Sequence, residues 1–341
     1  MSALRVGIIG CGHIFPMHGY PVHSLETTEL VAVSDVKEDR AIARSKELGC
    51  KYYTDYKEMI EKEKLDVVHI CLPHYLHPPV AIYAMDHGLN VLTEKPMSIK
   101  LEDAKAMVEA KNRNHVQLGV IFQNRYNAGS VLIKDALTSG KLGKIISGKL
   151  SVTWKRDDEY YSKSDWKGTW DKEGGGVIID QAIHTMDLMR WFVDSDIEYV
   201  DASISNRAHQ IIKVEDSAEG VIKFKNGVVA GFFAVNYYGY DAPVEIELQC
   251  ENGIAKMWAA KAEIRYNNGK VEFAEPDPRI TFDFGNVKSY WGKSHFVQIE
   301  EFYRKLSAGE PVNIPAEDAL KTQEMICAVY ESGKEHKRIV F

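Results

Sequence analysis

Cysteine is scarce in this chain. There are five, an odd number, at positions 11, 50, 71, 250 and 327, and no two stand in C-x-x-C spacing. That argues against zinc ribbons and thioredoxin-type redox motifs and points to reduced thiols in a cytoplasmic protein. Long apolar runs are missing too, so no membrane partner is expected. The opening "MSALRVGIIG" enters a strand directly, without a charged-then-apolar export segment. Positive charge is in deficit, with 42 Lys and Arg against 49 Asp and Glu and a net charge of -7. With no basic stripe, nucleic acid is not an expected partner either. Internal repeats and low-complexity linkers are absent. What remains is an ordinary globular composition, 45% apolar and 27% charged, in 341 residues. That length suits two domains and buries a core without staples.

The first third alternates two signals. Almost purely apolar runs stand at 5–10, 30–35, 66–73, 89–96 and 116–123, with helical patterns at 37–49, 56–64, 77–88 and 100–114. Apolar runs of this kind read as strands covered on both faces. Alternation with helices gives a doubly wound parallel sheet, a Rossmann-type domain over 1–123. Ser98 is the expected N-cap of the helix after it. Beyond Gln123 the character changes. A helix at 130–144 precedes long β-branched and aromatic segments, and "KNGV" and "ENGI" carry the Asn-Gly signature of hairpins. Residues 124–341 are therefore read as one α+β domain with a large, open, mostly antiparallel sheet, closed by helices at 295–309 and 316–336.

Three stretches carry chemistry. In "GIIGCGHIFPMHGYP", Gly10 permits a tight turn and Gly12 lets backbone approach a pyrophosphate, which the next helix's N–H groups would face. Asp35 ends an apolar run 23 residues after Gly12, where a ribose diol needs an acceptor. A carboxylate there favours NAD over NADP, while Lys37 and Arg40 nearby leave NADP open. Phe15 stands where the third glycine is usual. Pro16 suits a helix's first turn, and Pro21 is expected to disturb the chain beyond it. The second stretch is "TEKP" (93–96) at the carboxyl edge of the first sheet, where Lys95 could polarise a carbonyl or move a proton. Read alone it is a turn with a lysine. The third is "GGGVIIDQAIHTMDLMRWF" (174–192). Asp180 and His184 are four apart and share a helix face, a pairing that suits a general base. Asp187 is a further possible partner. An isolated D-x-x-x-H is more often a satisfied buried pair. His13, His18, His23 and His74 crowd the N-terminal loops at irregular spacing. Solvated or helix-capping roles are expected for them, and no metal.

Together these stretches, with "LPHYLH" (72–77), "EKP", "NRY" (124–126) and the closing "YES" helix, resemble the glucose–fructose oxidoreductase/inositol dehydrogenase/MocA (Gfo/Idh/MocA) family over essentially the whole chain. The resemblance implies a nicotinamide cofactor and hydride transfer to or from a secondary alcohol or ketone of a sugar, cyclitol or sugar derivative. Lys95, Asp180 and His184 fall on the family's catalytic positions. Cofactor contacts are then expected from Gly10, Gly12, His13, Ile14, Asp35, Cys71, Leu72, Pro73, His77, Glu94, Lys95 and Gln123. Substrate contacts are expected from Arg125, Trp166, Asp180 and His184. Lys167, Trp170, Trp154, Tyr237 and Tyr238 are weaker candidates for the walls. The resemblance further implies a cis bond before Pro96 and a homodimer or homotetramer through the second domain's sheet. Two rival functions share the fold. A redox glycosidase would keep its NAD, and a cofactor-sensing regulator would have lost the lysine or the histidine, both of which this chain retains.

Overall fold

The computed structural model describes residues 3–277, 282 and 293–341. The chain divides into two compact units, Met1–Gln123 with Arg279–Leu320, and Asn124–Pro278 with Lys321–Phe341.

The first unit runs β1 (Leu4–Ile9), α1 (Pro16–Ser24), β2 (Thr28–Ser34), α2 (Glu38–Leu48), β3 (Lys51–Tyr53), α3 (Tyr56–Lys62), β4 (Val67–Ile70), α4 (His77–Asp86), β5 (Asn90–Thr93), α5 (Leu101–Asn114) and β6 (Leu118–Val120). All neighbouring strands are parallel, in the order β3-β2-β1-β4-β5-β6. The direction of winding reverses between β1 and β4, the switch point at which such sheets bind ligands. The apolar runs read as strands are those of the central sheet, and every residue of β4 is buried. The short edge strand β3 has no such run, so the apolar pattern does not reveal it. Ser98 is not a cap. Its hydroxyl donates to the Lys100 carbonyl at 2.5 Å, and α5 starts after an uncapped Lys100.

Helix α1 accommodates both oddities of its sequence. Pro16 opens it, and the helix runs three residues past Pro21 to Ser24, so Pro21 does not end it. Phe15 is fully buried, and a Cβ on Gly19 would stand 2.5 Å from its ring. The glycine absent at position 15 thus reappears one turn later, making room for the ring that replaced it.

The second unit contains α6 (Ala128–Thr138), β7 (Ile145–Thr153), α7 (Asp158–Ser162), a π-helical turn (Val177–Ala182), α8 (Ile183–Val193), β8 (Ile197–Ser205), β9 (Ser217–Phe224), β10 (Val229–Val235), β11 (Glu245–Cys250), β12 (Gly253–Trp258), β13 (Lys261–Tyr266) and β14 (Val271–Ala274). Further along the chain come α9 (Lys293–Ser307), α10 (Ala316–Glu335) and β15 (Ile339–Val340). The nine-stranded sheet has the order β14-β13-β12-β11-β7-β10-β9-β8-β15, antiparallel except for β7 beside β10. Leu150, Phe232, Ile246, Leu248, Met257 and Ile264 fill its buried face. Both Asn-Gly hairpins form. In the second, however, Cys250 pairs with Gly253, so the loop is Glu251-Asn252 and the glycine lies in the strand.

Residues 124–341 are not one contiguous body. Ile299, Phe302 and Tyr303 of α9 belong to the core that holds Val6, Ile8, Phe15 and Leu92. Gln298 completes the bonding beside β6, donating to the Val120 carbonyl at 2.8 Å and accepting from the Phe122 amide at 3.1 Å. The physical reason is amphipathicity: the buried side of α9 is needed by the first unit's core.

The pairing of Phe15 with Gly19 is open to direct test. Alanine at a helical glycine normally gains about 1 kcal/mol, whereas overpacking costs about 1–3 kcal/mol. Gly19→Ala is expected to destabilise the wild-type chain and to become neutral or stabilising in a Phe15→Leu background, measured by urea unfolding. Stabilisation in the wild-type background would refute the account.

Candidate functional site

In the first unit, the expected residues stand after successive strands at the carboxyl edge of the sheet. Gly10 has φ +99°, and a Cβ there would overlap the Cys71 carbonyl, so the turn after β1 and the chain after β4 pass too closely for a side chain. Gly12 is the opposite case: a Cβ would meet only the Arg40 guanidinium, at 4.0 Å, which leaves open space beside its backbone. His13 is exposed and Ile14 half-buried in the same turn. Asp35 fixes the turn from below. Its Oδ2 accepts from the Cys11 amide at 2.9 Å and its Oδ1 from the Lys37 amide at 2.8 Å. A carboxylate that is already an acceptor has lone pairs left for hydroxyls and repels a phosphate.

Two further loops are tied together by His77. It is fully buried, with Nδ1 2.7 Å from the Pro96 carbonyl and Nε2 2.8 Å from that of Leu72. Burial lowers its proton affinity, and the two carbonyls oppose that. Cys71, Leu72 and Pro73 thereby stand in fixed register with Glu94 and Lys95, and the Lys95–Pro96 bond is cis. Glu94 is almost fully buried. Burial raises its proton affinity, but hydrogen bonds from His18 and His295 outweigh this and hold the carboxyl well below its ordinary value. Of the four N-terminal histidines, His13 and His23 are exposed as expected, whereas His18 and His74 are buried. Gln123, the last residue of this segment, has a buried Oε1 with no hydrogen-bond partner. An orphaned acceptor of this kind suits an amide donor from a ligand. The open backbone at Gly12, the acceptor Asp35 and this orphan oxygen fit a nicotinamide dinucleotide. Among the described residues, no group of three or more His, Cys, Asp or Glu is arranged to hold a metal ion, and no helix is long and apolar enough to cross a membrane.

In the second unit, the glycine run has a steric cause. A Cβ on Gly175 would overlap the Tyr330 hydroxyl, and one on Gly176 the Glu215 carbonyl. The side chains of the same two residues cap the helix beyond the glycines. Glu215 accepts from the Gly176 amide at 2.9 Å and the Ile178 amide at 3.1 Å, and from the Tyr330 hydroxyl at 2.8 Å, which itself accepts from the Ile179 amide at 3.1 Å. From Gly175 to Arg190 every residue is buried except two, Asp180 and His184.

Asp180 is a hub. Its Oδ2 accepts from the Tyr160 hydroxyl at 2.8 Å, from Lys167 Nζ at 2.8 Å and from Gln181 Nε2 at 2.6 Å. Lys167 also bonds the Tyr160 hydroxyl and lies over the rings of Tyr160 and Trp166. Burial and the Asp180 charge hold the Tyr160 phenol far above its ordinary value, so it remains a donor. Arg156 stacks on Trp154 and Tyr160. The sequence hints at Lys167 through "WKGTW" and offers no sign of Tyr160 or Glu215.

Arg125, expected at the substrate, has a partner within the fold. It is buried and grips Asp187 with two bonds of 2.7 Å, and Thr322 adds a third donor to that carboxylate at 2.7 Å. That bidentate pair holds the guanidinium in place through Nε and Nη2. Asp187 is likewise taken up by Arg125 rather than offered to His184.

The comparisons with known proteins agree with this geometry. Residues 4–122 match the family described as oxidoreductase family, NAD-binding Rossmann fold, and residues 131–256 match the Gfo/Idh/MocA C-terminal domain. The chain is 26% identical to myo-inositol 2-dehydrogenase of Thermotoga maritima over 99% of its own length and 98% of the relative's. It superposes on the WlbA dehydrogenase of Bordetella pertussis, solved with NADH and UDP-GlcNAcA, with a TM-score of 0.86, 27% identity and 99% of each chain covered. Levoglucosan dehydrogenase, solved with NADH and levoglucosan, shares the fold at a TM-score of 0.89 and 20% identity, with 99% of each chain covered. With its doubly wound sheet, its dinucleotide turn and both family domains matched, the chain belongs to the Gfo/Idh/MocA oxidoreductases and is an NAD-binding dehydrogenase or reductase.

Proposed function

We propose that this protein interconverts a secondary alcohol and a ketone on a sugar, cyclitol or sugar derivative, with NAD as hydride carrier. The observation that carries the reading is that Asp180 and His184 alone are partly accessible in the otherwise buried stretch from Gly175 to Arg190. Both are proton-transfer groups, and Asp180 stands with Lys167 and the Tyr160 ring, chemistry suited to hydroxyl-rich rings. The relatives point to the same class, since one is named for myo-inositol and another was solved with UDP-GlcNAcA.

Bound NAD would supply the hydride acceptor. Gly10, Gly12 and Asp35 would hold its phosphates and adenosine ribose, and Glu94 with Gln123 its nicotinamide end. Lys95 of the first unit and His184 of the second are the candidate proton-transfer groups. Tyr160 and Lys167 fix the Asp180 carboxylate as an acceptor for a neighbouring hydroxyl. Positioning and one proton transfer are all that these residues must supply. The retained Lys95, Asp180 and His184 favour turnover over a sensing role.

The test is a screen of inositols, free sugars and sugar nucleotides, tracking NADH absorbance. Lys95→Met is expected to abolish turnover while NADH still binds with near wild-type affinity, and retained turnover would sink the assignment. Run with both cofactors, the same assay is expected to give kcat/KM for NAD at least about 100-fold above NADP, from the several kcal/mol that a like-charge contact at Asp35 costs. Equal use of the two would remove Asp35 from the ribose site. We further propose that the outward sheet face, where Val229, Phe233, Ile254, Val271 and Phe273 are exposed, pairs with a second copy. Phe233→Arg should then lower the mass found by light scattering, and a wild-type monomer at micromolar concentration would refute the pairing.

A further inference from the structure

In the first unit a chain of buried titratable groups leads from α9 to Glu94. Tyr303 on α9 is bonded to His69 Nε2 at 2.7 Å, His69 Nδ1 faces His18 Nδ1 at 2.9 Å, and His18 Nε2 faces Glu94 Oε1 at 3.0 Å. Tyr303, His69 and His18 are fully buried. Glu94 continues the chain: its Oε2 accepts from the amide of Lys95 at 3.2 Å, and its Oε1 also faces His295 Nε2 at 3.5 Å.

Each of these hydrogen bonds needs one proton, and a neutral imidazole carries one. A carboxylate carries none, so His18 must donate to Glu94 from Nε2. His18 Nδ1 is then bare, so His69 must donate from Nδ1. His69 Nε2 is then bare, and the Tyr303 hydroxyl must donate. One arrangement satisfies every bond. The neutral rings that this count requires agree with the direction in which burial acts. Burial holds His18 below and His69 well below the ordinary imidazole range, burial pushes the Tyr303 phenol up, and Glu94 is held well down.

We propose that Tyr303, acting through His69 and His18, is a positioning residue for Glu94 and Lys95: a one-way hydrogen-bond chain from α9 fixes the carboxylate as an acceptor at the cofactor site. The proposal rests on the reading that Glu94 and Lys95 belong to that site. The hydroxyl of Tyr303 sets the direction of the chain. Without it, His69 can turn its proton to Nε2, His18 can turn its own to Nδ1, and a bare nitrogen then faces the Glu94 oxygen. The two lone pairs repel, and the carboxylate leaves its place beside the Lys95 amide.

The experiment uses the full chain with ¹⁵N-labelled histidine and NADH as the probe. Long-range ¹H–¹⁵N spectra at neutral pH, assigned with His18→Gln and His69→Gln, are expected to show His18 protonated at Nε2 and His69 at Nδ1. Either ring in the other tautomer, or as an imidazolium, overturns the proposal. Tyr303→Phe keeps the packed ring and removes only the hydroxyl. It should mix the His69 tautomers and weaken NADH binding roughly tenfold, the scale of one unsatisfied buried partner. It should also lower kcat while KM for the sugar stays within about twofold. A role in packing alone would leave the tautomers unmoved. Normal NADH affinity in Tyr303→Phe, with affinity lost in Glu94→Gln, would sink the chain and leave the site reading standing. Normal affinity in Glu94→Gln would sink the placement of Glu94 at the cofactor, and with it the proposal.

Discussion

A carboxylate buried just after β5 ties together widely separated parts of the first unit. Leaving Glu94 charged and unpaired would cost several kcal/mol, a large part of a domain's net stability. Its neighbours come from places far apart in sequence: His18 on α1 and His295 on α9 face one oxygen, and the adjacent Lys95 amide bonds the other. Its own amide donates to the Ile70 carbonyl at 3.0 Å, which anchors it to β4. The loop that carries Lys95 is thus ordered only when the first helix, two central strands and a helix far along the chain are all in place. This requirement explains why α9 returns to the first unit even though the intervening chain builds a sheet of its own.

The second unit solves a similar problem with backbone. The chain must enter α8 against Tyr330 and Glu215, and only glycine leaves room at 175 and 176. Glu215 then meets amides at a helix start, where a negative charge is favoured. Full burial works against that charge and pushes the carboxyl up to about 7. The "YES" of the last helix has a physical meaning here. Tyr330 serves the cap, and Ser332 accepts from the Ala202 amide at 2.9 Å while donating to the Lys337 carbonyl at 2.7 Å.

Legibility in the sequence depends on the range of each interaction. The parallel sheet is readable because burial on both faces writes itself as apolar runs, and the turn at Gly10 because positive φ demands glycine. Asp35 is readable by its spacing, although its bond to the Cys11 amide is not. Other features depend on contacts between distant segments. Phe15 looks like a defect until Gly19 is seen beneath its ring. His18 reads as a solvent or capping residue because its partners, His69 and Glu94, lie 51 and 76 residues away. Helix α9 is placed correctly along the chain and in the wrong body, since amphipathicity reveals a buried face without naming what buries it. The hairpin at "ENGI" shows the limit of a local rule: the turn forms, and the strand register claims the glycine.

The helix that carries Asp180 and His184 makes the last point. In a regular α-helix, positions 180, 184 and 187 share a face, so D-x-x-x-H-x-x-D reads as one cluster of three. The structure separates the two aspartates. The stretch Val177–Ala182 is a π-turn, a wider coil common at functional sites that resets which way its residues point. Asp187 is buried against Arg125 and Thr322, while Asp180 is only partly buried, among Tyr160, Lys167 and Gln181. Two aspartates seven residues apart therefore do different work, one in packing and one in the recognition proposed above. Their roles are decided by where donors lie in space, which neither residue type nor spacing records.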